Sequence, residues 1–281
     1  MITNTNTDKI DKEDNNVIIV DKTKYLQDGI VVIKLNREKN ARNAVDRETA
    51  DRLSMAFREF DGDDRFKVAI LYGGDKVFCA GADLKKISLG DESQMNRLQA
   101  DGDAPMGCTR MLLGKPVITG ISGYCVAGGL ELALWSDLRV ASRDAIFGVF
   151  CRRWGVPLID GGTVRLPRLV GHSRAMDLIL TGRPVTAEEA FNIGLVNRLV
   201  DTPNQVLDKC IELAKLIGSF PQNCLRSDRL SVYQQHNLSL NDALSNEFKL
   251  GYPSLQKDGV GGSSRFAQGM GRHGKFIESK L

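Results

Sequence analysis

Between residues 121 and 142 the chain reads ISGYCVAGGLELALWSDLRVAS. A run of small and β-forming residues stops at Ala127-Gly128-Gly129 and passes without a linker into a helical pattern, Leu130-Glu131-Leu132-Ala133-Leu134-Trp135. A strand that turns straight into an apolar helix belongs to a fold in which the two alternate. A glycine pair lets the backbone approach a ligand closely. The first helical turn leaves N–H groups unpaired and carries partial positive charge. Glu131 falls in that turn. Two readings follow: a glutamate favoured there by the helix dipole, or a carboxylate base beside an oxyanion site.

The rest of the chain repeats the alternation. Residues 17–20 and 29–35 form short β-runs, and Asp46 caps a helix over 47–61 with Leu53, Ala56, Phe57 and Phe60 on one face. Strands are expected at 68–72, 116–121, 138–141, 145–147 and 195–200, and 78–84 reads as a small-residue loop. Helices are expected from 161 or 162 to 169, over 172–180 and 187–193, and throughout 205–257. Residues 89–113 are polar with scattered Met and Leu, the pattern of a mobile lid over a pocket. The reading is an α/β core over 17–204, a helical part over 205–281, and a polar, disordered tail over 1–16.

Composition excludes some functions. Over 281 residues the net charge is only +3, with no Lys/Arg block, which argues against nucleic acid. No apolar run is long enough to span a bilayer. The six cysteines form no CxxC pair and have no histidine at metal-ligand spacing, so they read as reduced thiols in an intracellular compartment. The chain finishes Ser279-Lys280-Leu281, a tripeptide that a peroxisomal import receptor reads, with the cytoplasm as the alternative location.

Gly269-Met270-Gly271-Arg272-His273-Gly274 matches G-x-G-x-x-G, but too few residues follow to complete a dinucleotide fold. There is no nucleophile elbow. The second informative loop is Phe78-Cys79-Ala80-Gly81-Ala82-Asp83-Leu84-Lys85, which also follows a strand and a glycine turn. Two such loops can each direct one N–H at a single oxygen, as an enolate or tetrahedral oxyanion requires. The plainer alternative is a pair of ordinary strand-to-helix turns.

FCAGADLK and GYCVAGGLELAL, with LNREKNARNA before them and GGTVRLPRLVG after, closely resemble the crotonase (enoyl-CoA hydratase/isomerase) superfamily, from about residue 31 to residue 274. The resemblance implies an α/β crotonase-type ββα spiral core with a helical C-terminal trimerisation region, assembled as a homotrimer or a dimer of trimers. It implies an acyl-CoA thioester substrate, no metal, and no cofactor beyond the coenzyme A of the substrate. By position it implies an oxyanion hole from the N–H groups of Ala82 and Gly128, and a catalytic Glu131. Coenzyme A contacts fall on Asn36, Arg37, Ala80, Asp83 and Leu84, with Lys85 nearby and Asn43-Ala44 closing the first loop. Glu38 stands where the family often has proline, in a loop that looks one residue longer than usual.

Hydratases of this family carry a second glutamate shortly after the FG here formed by Phe147-Gly148. This chain has Cys151 there, read as a polarisable wall residue. Asp160 is the nearest substitute acid, and it reads equally as a cap for the helix opening at Gly161. The expected activity is enoyl-CoA hydration in fatty-acid β-oxidation. Double-bond isomerisation of an enoyl-CoA and non-catalytic acyl-CoA binding are the alternatives.

Overall fold

A computed structural model describes residues 16–271. The terminal Ser279-Lys280-Leu281 and all of the expected tail except Asn16 lie outside the described residues. The chain divides into two compact units, Met1–Ala214 and Lys215–Leu281.

In the first unit, β1 (Ile18–Asp21) pairs antiparallel with β2 (Ile30–Leu35). There follow β3 (Val68–Tyr72), β4 (Val77–Cys79), β5 (Val117–Ile121), β6 (Tyr124–Val126), β7 (Leu138–Ser142), β8 (Ile146–Gly148), β9 (Val185–Thr186) and β10 (Arg198–Val200). One sheet has the order β1-β2-β3-β5-β7-β10 and the other β4-β6-β8-β9. From β3 to β8, consecutive strands alternate between the two sheets. Each pair is followed by a segment that carries the chain to the next turn. This is the ββα spiral that the resemblance implies.

Within the larger sheet, β2, β3, β5, β7 and β10 run parallel. Every residue of β3 and β5 is buried. Burial on both faces explains why these strands read as continuous apolar runs rather than alternating ones. The Arg47–Gly62 helix buries Leu53, Ala56, Phe57 and Phe60, and Asp46 caps it by accepting the Thr49 N–H at 3.0 Å. Phe57 meets Trp135 edge to face, with centroids 4.7 Å apart. That contact ties this helix to the Gly128–Trp135 helix, all eight residues of which are buried. A helix apolar on every side belongs in a core, so its single carboxylate is carried inside with it.

The structure differs from the sequence reading in several places. The short strand Val185–Thr186 was not expected, and the strand expected at 195–200 is Arg198–Val200, but neither touches the site described below. Three further differences bear on it. Val77–Cys79, expected as the start of a loop, is strand β4, paired parallel with β6. The expected lid at 89–113 is only partly lid-like. Its residues 104–109 are buried, and the Met106 N–H and Thr109 hydroxyl both bond to Asp160, which makes this half a fixed wall. Asp160 does not cap the Gly162–Val170 helix, whose N-cap is Gly161 with no side-chain bond. The described residues of the second unit, 215–271, are mostly helical, with Gln222–Gln234 and Leu240–Ser254 the longest helices wholly within them. Asp258 accepts the Cys224 N–H at 2.9 Å and so holds the start of the first of these.

Candidate active site

β4 and β6 are parallel neighbours in which Cys79 pairs with Cys125. The loops that leave their C-terminal ends therefore emerge side by side. The contact is close. A Cβ built on Gly81 would stand 2.9 Å from the Ala127 Cβ and 3.0 Å from the Gly128 nitrogen. Gly81 also has φ +99°, a conformation that glycine adopts at little cost. On the other side, a Cβ on Gly129 would come within 2.3 Å of the Cys79 carbonyl oxygen.

The orientation of the two amides follows from their neighbours. Val45 bridges Ala82 in parallel, donating to the Gly81 oxygen at 2.8 Å and accepting the Asp83 N–H at 2.9 Å. In such a bridge the residue between those two partners turns its own N–H away from the bridging strand, here away from Val45. Gly128 opens its helix, where N–H groups have no intrahelical partner. Ala127 has φ +54° and ψ −127°, a strained conformation for a residue with a Cβ, and this sets the plane of the Gly128 amide.

A cavity of about 220 Å³ lies against both loops, lined by Ala82, Gly128, Glu131, Met106, Cys151 and Asp160 among others. Glu131 is 2% exposed. Its Oε1 accepts the Asp160 N–H at 2.9 Å and the Gly162 N–H at 2.8 Å. Glu131, not Asp160, thus receives the amides at the start of the Gly162–Val170 helix. Burial pushes its carboxyl up to about 7 and the Asp160 charge adds to this, while the two amides oppose it. Asp160 is 4% exposed, and its Oδ1 accepts the Met106 N–H at 2.8 Å and the Thr109 hydroxyl at 2.6 Å. Burial raises its carboxyl too, opposed by those bonds. Burial and the Glu131 charge push the Cys151 thiol up, which suits a neutral wall residue rather than a thiolate.

The residues expected to contact coenzyme A divide into two groups. Ala80 and Leu84 line the cavity. Lys85 is exposed on the short Leu84–Ser88 helix. Asp83 caps that helix and pairs with Arg37 at 3.0 Å. Arg37 also pairs with Asp46 at 3.0 Å and donates to the Ala44 oxygen, so its guanidinium braces the first loop against the second. Asn43 ties the same loop to the Gly73, Val77 and Phe78 carbonyls, and Asn36 donates to the Asn16 oxygen at 2.8 Å. Sequence reasoning missed Asn96, Met106, Phe150 and Trp154, all in the cavity wall. The scattered apolar residues of 89–113 were the one signal for Met106. A more open depression of about 540 Å³ beside the Arg47–Gly62 helix is lined largely by charged side chains, with Arg47 and Asp51 paired at 3.2 Å. It contains neither buried carboxylate.

Residues 26–270 match the Enoyl-CoA hydratase/isomerase family. The chain belongs to that family. The chain is 38% identical to the carnitinyl-CoA dehydratase of Salmonella arizonae over 195 residues, 68% of this chain and 72% of that protein. It is 33% identical to the short-chain-enoyl-CoA hydratase of Clostridium acetobutylicum over 238 residues, 83% of this chain and 87% of that protein. A crystal structure of an enoyl-CoA hydratase from Mycobacterium tuberculosis H37Rv superposes with a TM-score of 0.81 at 34% identity, covering 90% of this chain and 96% of that one.

Proposed function

We propose that this enoyl-CoA hydratase/isomerase family member is a hydratase-type lyase acting on enoyl-CoA thioesters in fatty-acid β-oxidation. The thioester oxygen sits between the N–H groups of Ala82 and Gly128, which stabilise the enolate that forms when a nucleophile adds to the β carbon. Loss of one such donor typically costs roughly 2.7–4 kcal/mol of barrier. Glu131 carries the proton. Its Oε1 is held by two main-chain amides, and Oε2 remains for the substrate. Asp160 supplies the second carboxylate that water activation needs. The observation that carries this reading is the pair of buried carboxylates that line one cavity together with the two loops that meet at Gly81 and Gly128.

Addition of water to crotonyl-CoA bleaches the conjugated thioester absorbance, which gives a direct assay. Glu131→Gln is expected to lower this rate by roughly a hundredfold or more while coenzyme A thioesters still bind. A near-wild-type rate removes Glu131 from the mechanism. One observation favours a second reading. Cys151, not a glutamate, lines the cavity after Phe147-Gly148, and a single carboxylate can shuttle a proton without activating water. Isomerisation of a 3-enoyl-CoA creates the same absorbance instead of bleaching it, so one spectrophotometer separates the two.

A further inference from the structure

The resemblance places Arg37 beside coenzyme A, but the structure engages its guanidinium elsewhere. The side chain is 15% exposed. Nη1 donates to the Ala44 oxygen, and Nη2 stands 3.0 Å from both Asp46 Oδ2 and Asp83 Oδ2. Those two side chains are 14% and 10% exposed. One positive charge set against two negative ones leaves the trio negative, with no surplus to hold a phosphate.

The partners of Arg37 lie on either side of one proposed oxyanion amide. Ala44 and Asp46 flank Val45, and Asp83 follows Ala82. Val45 and Ala82 form the bridge between the two segments, closed by the Val45 N–H to the Gly81 oxygen at 2.8 Å and by the Asp83 N–H to the Val45 oxygen at 2.9 Å. Arg37 therefore clips the two segments together directly beside that bridge. Its main chain holds the approach to it. The Arg37 N–H donates to Asn43 Oδ1 at 2.9 Å, and the Arg37 oxygen accepts the Ala41 and Asn43 N–H groups. Arg42 and Asn43 have φ of +51° and +54°. Residues with a side chain stay in that conformation where their surroundings over-determine it. Without the cation, Asp46 and Asp83 would face each other as like charges, and their repulsion would part the segments that Arg37 joins.

We propose that Arg37 is a positioning residue that fixes the Ala82 N–H against the thioester oxygen and makes no contact with coenzyme A. This rests on the oxyanion reading of Ala82 and Gly128 given above.

The readout is the carbonyl stretch of bound butyryl-CoA, isotope-labelled at the carbonyl carbon and followed by infrared difference spectroscopy on the full chain. Butyryl-CoA has no double bond to hydrate, and hydrogen bonds to its carbonyl lower the frequency. In the wild type the band is expected below its position in water. In Arg37→Met it is expected to move back toward that position, while crotonyl-CoA turnover falls about tenfold or more, the scale of a small misplacement of catalytic groups. Free coenzyme A, titrated by calorimetry, is expected to bind this variant as it binds the wild type. Arg37→Lys keeps the charge and loses the fork, so its band is expected between the two. A brace without influence on the amide lowers the unfolding temperature and leaves the band in place. A wild-type band in the Arg37 variants therefore overturns the inference. So does a weakening of free coenzyme A that matches the loss of turnover, which makes Arg37 a coenzyme contact. If neither Arg37 variant folds, Asp83→Asn loosens the same pair from the other side, with the same expected shift and the same overturning result. A wild-type band that stays at its water position removes the proposed function along with the inference. A lowered band that the substitutions leave unmoved removes the inference alone.

Discussion

Glu131 carries a charge that its surroundings resist, and this has consequences for stability as well as rate. Its carboxyl lies near 7 in the native chain against 4.5 for an ordinary glutamate, chiefly through burial. Between those values the native state holds more protons than the unfolded chain, so stability falls as pH rises through that window. Below about 4.5 the penalty is absent, and above 7 it is complete. In Glu131→Gln the remaining Oε1 still accepts the Asp160 and Gly162 amides. Thermal unfolding is therefore expected to show the variant gaining on the wild type more at pH 8 than at pH 5. An equal difference at both pH values contradicts the raised carboxyl. Asp160→Asn is the companion experiment, because an asparagine Oδ1 still accepts the Met106 N–H and the Thr109 hydroxyl. If the carboxylate moves protons, turnover falls by roughly a hundredfold with the unfolding temperature nearly unchanged. The Asp160 charge helps to raise Glu131. The inflection of the residual rate is therefore expected at lower pH than in the wild type. Near-wild-type turnover with an unmoved inflection leaves Asp160 as a brace for the 104–109 wall.

At the scale of elements, the two loops were legible because their chemistry is local. Small residues and glycines after a β-run, with an apolar helix behind, mark a close approach of backbone in any sequence. The helix over Arg47–Gly62 was legible for the same reason, since Asp46 and a four-residue spacing of apolar groups lie within a few turns. The wall at 104–109 was not legible, because what fixes it is distant in sequence: Asp160 reaches it across more than fifty residues. Of the two alternatives for Asp160, the helix cap fails for a similar reason. A cap is a local guess, whereas the amides at that helix start are taken by Glu131, about thirty residues upstream. The strain at Ala127 was also invisible, and it offers a test. Ala127→Gly removes the Cβ from a conformation that disfavours it, so denaturant unfolding is expected to show no loss and a gain of up to about 1 kcal/mol, with activity retained. Gly129→Ala is the opposite case. Its Cβ would meet the Cys79 oxygen at 2.3 Å, and backbone must move. A destabilisation of about 2 kcal/mol or more and loss of turnover are expected. Equal behaviour of the two variants contradicts the close packing of these loops.

For the whole molecule, alternation of strand and helix up to residue 200 was enough to give the α/β class, whereas the spiral came from the resemblance to the crotonase superfamily, because which strands pair is a long-range matter. Assembly is written in a different way, as apolar side chains left in water. Along the Leu240–Ser254 helix, Leu240, Leu244 and Phe248 follow one another at four-residue spacing, 75%, 54% and 68% exposed. Tyr252 continues the row, with its ring stacked on Phe248 at a centroid separation of 5.5 Å. Residues four apart share a helix face, so this is one stripe rather than scattered positions. A contiguous exposed apolar stripe of this kind marks a contact surface. Together with the resemblance to the crotonase superfamily, it leads us to propose that copies of this chain associate through their C-terminal helices. Sedimentation velocity at micromolar concentration is expected to give three or six times the chain mass. Leu244→Asp combined with Phe248→Asp places two carboxylates in the stripe and is expected to move the mass to that of one chain. Circular dichroism should keep its helical signal, since both positions face solvent in the isolated chain. A wild type that sediments as a single chain, or a double variant that keeps the wild-type mass, assigns this stripe no part in assembly.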